Sequence, residues 1–115
     1  MDAKNGAPTL SRIGEGVYAY IQPDGGWCVN NAGMVRSGDR TMLIDTAATE
    51  RRTLALAEAV ESVAPQGPDY VVNTHFHGDH TFGNGYFKPG AVIVAHENCA
   101  REQIQAGPGL RGLWI

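Results

Sequence analysis

The feature that most constrains this chain is a short apolar run, Tyr70-Val71-Val72-Asn73, followed at once by His75-Phe76-His77-Gly78-Asp79-His80. Three of the four histidines thus fall within six residues, with an aspartate between them. Histidine offers a neutral nitrogen ligand and aspartate a hard anionic oxygen. That pairing suits zinc, and also iron or manganese. On a tight loop the alternating His75 and His77 can point to one side. Gly78 lets the chain bend, and Asp79 and His80 then reach a second position nearby. One loop can therefore serve two metals. His96 stands alone after another apolar run, near a helix start, and reads as structural.

The order of elements around the cluster predicts the layer that carries it. Val17–Ile21 reads as a strand closed by Pro23-Asp24-Gly25-Gly26, a strong turn signal. Cys28 to Val35 reads as a second strand, closed by Ser37-Gly38-Asp39, and Thr41–Ile44 as a third, ending at Asp45. A helix over about Thr49–Val63 follows, capped by Thr46 or Thr49. Its apolar stripe is Leu56, Ala57, Val60, Val63 and Ala64. Pro65-Gln66-Gly67-Pro68 stops it. Tyr70–Asn73 and Ala91–Ala95 read as buried strands. Glu97 to Gln105 reads as a helix ending at Gly107-Pro108-Gly109. Strand, helix and strand again imply a crossover and an α/β layer. Ligand sites in such sheets lie beyond the carboxyl ends of strands, which is where the histidines fall.

Composition excludes several function classes. With 115 residues the chain holds one domain and one modest core. A net charge of -3 supplies no basic patch, so no nucleic-acid partner and no membrane surface are expected. The opening Met1–Pro8 has no apolar run, and no stretch reaches the roughly 18–20 apolar residues of a membrane span. Cys28 and Cys99 lie far apart and form no CxxC pair, so both are expected to be packed thiols and the chain cytoplasmic.

Thr74-His75-Phe76-His77-Gly78-Asp79-His80 resembles the H-x-H-x-D-H signature of the metallo-β-lactamase superfamily. The preceding strands, Leu43-Ile44-Asp45-Thr46, the helix and Val71-Val72-Asn73-Thr74 resemble that superfamily too. The resemblance implies an α/β fold, the αββα sandwich of the metallo-β-lactamase type. It also implies that His75 and His77 bind a first metal, and Asp79 and His80 a second. In such enzymes the metals activate a water that attacks a carbonyl or phosphoryl centre, and Asp79 handles its proton. A closer resemblance lies in Tyr18–Gly33, Ala47-Ala48-Thr49-Glu50-Arg51-Arg52 and Thr81-Phe82-Gly83-Asn84. These resemble actinomycete cyclases, among them zinc-dependent cyclases of aromatic polyketide pathways, which act on acyl thioesters. The alternative chemistry is a generic thioester or ester hydrolase of glyoxalase-II type. A flat polyketide would suit an aromatic flap of Tyr20 and Trp27 beside the first hairpin turn. Core packing of Tyr20, with Trp27 as its cap, is the competing reading.

One departure bears on the whole reading. The superfamily pattern needs a third histidine, a bridging aspartate and a last histidine later in sequence. Here no histidine follows His96 and no aspartate follows Asp79. Residues 1–115 are therefore expected to form a single domain, the amino-terminal half only of the sandwich, with two zinc ions in the complete enzyme. An inactive metal-binding half-domain is the other alternative. Such a half should present an uncovered apolar sheet face, fed by Val29, Met34, Val35, Met42 and Ile44. It should pair as a homodimer or with the missing carboxy-terminal half, unless Leu110, Leu113, Trp114 and Ile115 fold back over it.

Overall fold

The computed structural model describes residues 7–23, 29–87 and 89–114, with residues 106–114 as backbone only. Ten elements follow one another: β1 (Thr9–Gly14), β2 (Val17–Ile21), β3 (Ala32–Ser37), β4 (Arg40–Ile44), α1 (Glu50–Glu61), β5 (Tyr70–Val72), α2 (Gly78–Thr81), α3 (Asn84–Phe87), β6 (Val92–Val94) and α4 (Glu97–Trp114). The strands form one six-stranded sheet in sequence order. β1 to β4 make an antiparallel meander, whereas β4, β5 and β6 are parallel. A parallel pair needs a long crossover, which α1 supplies between β4 and β5.

Several expectations hold and some need correction. The strand containing Val71 is interior, flanked on both sides, and Val71 is fully buried. Of the two candidate caps for α1, Thr46 and Thr49, the structure selects the second. Thr49 is the cap residue, and its Oγ1 accepts the Arg52 N–H at 3.2 Å. Glu50 in the first turn suits the positive end of the helix dipole. Strand β1 was not anticipated, because Thr-Leu-Ser-Arg-Ile-Gly has no burial alternation, and most of it is exposed. The segment after His77, read as loop, contains the two short helices α2 and α3. The backbone of α4 runs past Gly107-Pro108-Gly109, which was expected to end it. Pro108 lacks an N–H, so the ladder passes through that point short of one bond.

The pleat decides which face is core. Tyr18, Met34, Leu43, Val71 and Ile93 are neighbours across five strands. This row faces α1, where Leu56, Ala57 and Val60, with Ala64 just beyond the helix, complete the cluster. Because side chains alternate along a strand, the rows on either side point the other way. One runs Val17, Val35, Met42, Tyr70, Val92; the other runs Ala19, Gly33, Ile44, Val72, Val94. Val17, Ile21, Tyr70, Val92 and Val94 are all exposed. Met34 was assigned to this open face and belongs to the core instead, at 1% exposure, one residue out of phase with Val35. Residues Leu110 to Trp114 are described as backbone alone and Ile115 is outside the described residues, as are Trp27 and Cys28. Cys99 is buried. Among the described residues, no helix is long and apolar enough to cross a membrane.

The core assignment predicts a sharp contrast within one helix. Leu56→Ala should cost about 2–5 kcal/mol in urea unfolding, because it empties a fully packed site. Leu54→Ala, on the exposed side, should stay within about 0.5 kcal/mol. Equal losses would reverse the assignment of the α1 face.

Candidate metal centre

The site begins at two neighbouring strand ends. Ile44 pairs with Val72 in parallel register, and the Asp45 N–H donates to the Val72 carbonyl at 2.7 Å. The chain therefore leaves β4 at Asp45 and β5 at Asn73 side by side. Asp45 is 4% exposed. Its φ of 70° is the positive value recorded for a non-glycine residue among those described. Aspartate tolerates that region better than most side chains, and such conformations persist where surrounding contacts enforce them.

Here the contacts are explicit. Asp45 Oδ1 accepts the Thr74 N–H at 2.8 Å, and Oδ2 accepts the Thr74 hydroxyl at 2.8 Å. Oδ2 lies also 2.9 Å from His80 Nδ1. A carboxylate only accepts, so His80 Nδ1 carries a proton, and in the neutral ring Nε2 then presents its lone pair. The Thr74 hydroxyl has spent its one hydrogen on Asp45. Toward His75 Nδ1, at 2.9 Å, it can therefore only accept. His75 thus also holds its proton on Nδ1 and leaves Nε2 free. One buried carboxylate sets the tautomers of two histidines, the usual way a ligand ring is oriented from behind.

The remaining side chains gather around these rings. His75 and His80 lie with ring centroids 4.2 Å apart, and His75 and His77 at 4.8 Å. His80 Nε2 is 3.5 Å from Asp79 Oδ2. The Thr81 hydroxyl donates toward the Phe76 and His77 carbonyls, at 3.2 and 3.1 Å, and pins the turn. Gly78 serves differently from expectation. A Cβ there would lie 2.3 Å from the Phe82 ring. Close approach of that ring, rather than an unusual bend, requires glycine.

The donor set fits a divalent metal in type, and one pair fits in spacing. Two bonds of about 2.1 Å at a tetrahedral angle hold their ligand atoms roughly 3.4 Å apart, close to the Asp79–His80 separation. Among the described residues, no three such side chains already surround a single point. The loop thus offers paired donors rather than a closed cage.

The other expected site residues fall elsewhere. Tyr20 is 3% exposed within the core cluster, so it has no surface for a substrate, and core packing replaces the flap reading. Burial raises its pKa, and the nearby Arg52 guanidinium partly offsets this. Trp27 lies outside the described residues. His96 is exposed, and its Nδ1 accepts the Asn98 N–H at 3.0 Å, capping the start of α4. Asp45 was missed as a site residue. The available signal was its place at the end of the apolar run Met42-Leu43-Ile44; that this strand lies beside the one ending in the histidines is decided by the parallel pairing.

Comparison with known proteins agrees with this fold. The model of the metallo-beta-lactamase superfamily matches residues 25–98. Over 70 residues the chain is 37% identical to metallo-beta-lactamase domain-containing protein 1 of Mus musculus, a stretch covering 60% of this chain and 27% of that protein. A metallo-beta-lactamase of Hirschia baltica superposes with a TM-score of 0.71 at 21% identity, over 87% of this chain and 48% of that one. One from Pseudomonas aeruginosa, in its mono-zinc form, gives 0.70 at 24% identity, over 85% and 46%. The chain therefore spans just under half of these structures.

The hydrogen-bond assignment predicts an observable. Nitrogen-15 NMR of the imidazoles at mildly alkaline pH should show His75 and His80 as the Nδ1–H tautomer. Asp45→Ala should release His80 to the commoner Nε2–H form. An Nε2–H signal for His80 in the unaltered chain would rule out the arrangement.

Proposed function

The chain belongs to the metallo-beta-lactamase superfamily, whose model covers more than half of it, and from that premise we propose that it is the metal-holding half of a zinc-dependent hydrolase of acyl thioesters. The observation that carries the proposal is the pairing of His80 Nε2 with Asp79 Oδ2 at 3.5 Å, backed by Asp45 on the far ring nitrogen. His75 and His77 would hold one zinc, and Asp79 and His80 a second. When bound, zinc supplies Lewis acidity that polarises a carbonyl and makes water nucleophilic near neutral pH.

The protein's own groups have separable tasks. Asp45 keeps His80 in one tautomer and one orientation. Thr74 does the same for His75. Asp79, with 20% of its side chain exposed, is the carboxylate that takes the proton of the attacking water. The cyclisation of aromatic polyketide thioesters is the narrower activity suggested by resemblance in sequence. With Tyr20 in the core, the aromatic flap that favoured it loses one of its two members, so hydrolysis is the reading retained.

Two ligands per ion is fewer than the three of a usual catalytic zinc site. The remaining donors would come from the other half of the sandwich, or from a second copy of this chain. The same partner would cover the open rows of the sheet, since monomers rarely leave contiguous apolar patches beyond a few hundred Å² in water. Cytoplasmic residence is part of this proposal.

Three measurements test it. In a zinc titration, His77→Ala should weaken uptake at least tenfold and His96→Ala hardly at all; equal effects would remove the ligand assignment. Residues 1–115 alone should show no useful thioester turnover, while a chain that adds the second half should; zinc-dependent turnover by the short chain, lost in Asp79→Ala, would contradict the half-site. Sedimentation at micromolar concentration should give a dimer or a complex with the second half, and a clean monomer with no exposed apolar face would end the half-sandwich picture.

A further inference from the structure

His80 is held at both ends of the residue. Its ring is held by Asp45. Its backbone carbonyl faces three donors: the Thr46 N–H at 2.8 Å, the Thr46 hydroxyl at 3.2 Å and Asn73 Nδ2 at 3.4 Å. Thr46 is 1% exposed and Asn73 3%.

The Asn73 amide is committed in every direction. Its Oδ1 accepts Asn84 Nδ2 at 2.6 Å and Gln103 Nε2 at 3.2 Å. Its Nδ2 donates to Asn84 Oδ1 at 3.1 Å and to the His80 carbonyl. That is the full hydrogen-bonding capacity of a side-chain amide. Rotating the amide by half a turn would set its Oδ1 against the His80 carbonyl, which has no hydrogen to give, so that contact fixes the orientation. Two of those braces come from elements that hold none of the proposed ligands: Asn84 opens α3, and Gln103 projects from the second turn of α4. The Gln103 amide also donates to Cys99 Sγ at 3.4 Å, a residue buried on the same helix. The path from α4 to the metal loop is therefore continuous: Cys99, Gln103, Asn73, His80.

We propose that Asn73, braced by Gln103, is a positioning residue for His80, so that α4 sets how tightly the second metal position binds although it offers no ligand itself. The proposal rests on the metal reading of the loop. It adds that the binding strength of Asp79 and His80 depends on a polar path leading away from them. A carbonyl held by donors from two strand ends cannot drift, and with Asp45 fixing the ring, Nε2 keeps one direction. Removing the brace leaves every ligand in place and loosens only the aim.

Cobalt(II) serves as the probe, because its visible absorption reports ligand geometry as well as occupancy. The unaltered 115-residue chain is titrated beside Gln103→Leu, Gln103→Lys, Gln105→Leu and His77→Ala, and the thermal midpoint of each metal-free protein is recorded. Partners behind a ligand are typically worth 10–100-fold in metal affinity, and Gln103 lies one bond further out. Gln103→Leu should therefore weaken cobalt binding about threefold to tenfold and alter the spectrum, with little change in the metal-free midpoint. Gln103→Lys returns a donor to Asn73 and should recover most of the loss, while Gln105→Leu should change nothing. A Gln103→Leu chain that melts lower yet binds cobalt with unchanged affinity and spectrum would make the brace purely structural and overturn the proposal. Failure of the underlying reading looks different: His77→Ala would then bind cobalt as well as the unaltered chain does.

Discussion

The arrangement depends on one buried carboxylate. Asp45 sits where two parallel strands end, and it accepts the Thr74 N–H, the Thr74 hydroxyl and the His80 ring N–H. A charge taken out of water is costly unless it is paired and hydrogen-bonded. Three donors at 2.8–2.9 Å meet that requirement, and bonds to an ionised acceptor are the strong ones. In return the carboxylate joins β4 to the start of the histidine loop. The positive φ at Asp45 is the local cost of turning the chain so that its side chain reaches across rather than outward.

The same strand ends also hold the loop through side-chain hydrogen bonds. Thr46 and Asn73, the residues just beyond Asp45 and Val72, hold the His80 carbonyl. Thr81 holds the carbonyls of Phe76 and His77. The loop is short of regular hydrogen bonds, and side chains supply what the backbone lacks. Each of these side chains is Asn, Thr or Asp, the types that bond readily to nearby backbone. A site prepared in this way would lose little conformational entropy when an ion arrives.

The sheet has a less settled character on its other face. The row from Tyr18 to Ile93 is closed by α1, whereas the rows beside it point away from α1 and leave Val17, Val92 and Val94 exposed. The chain spans just under half of the solved structures it superposes on. The open face and the short supply of ligands both fit the proposal that a second layer completes the sandwich.

What the sequence determined by itself was local and periodic. The 3.6-residue stripe of α1, a threonine cap at Thr46 or Thr49, the apolar run of β5 and the clustering of His75, His77, Asp79 and His80 were all legible, because each depends on residues near one another in the chain. The tertiary structure decided what depends on distant partners. Met34 and Val35 are both apolar, and only the pairing with Leu43 and Met42 shows which one faces α1. Tyr20 reads equally as flap or core until Leu56 and Val60 are seen packed in the same cluster. Asp45 is 35 residues from His80 and looks like an ordinary turn residue in sequence. Its role exists only because parallel pairing of β4 and β5 brings the two strand ends together, and hydrogen bonding acts on distance in space rather than on separation along the chain.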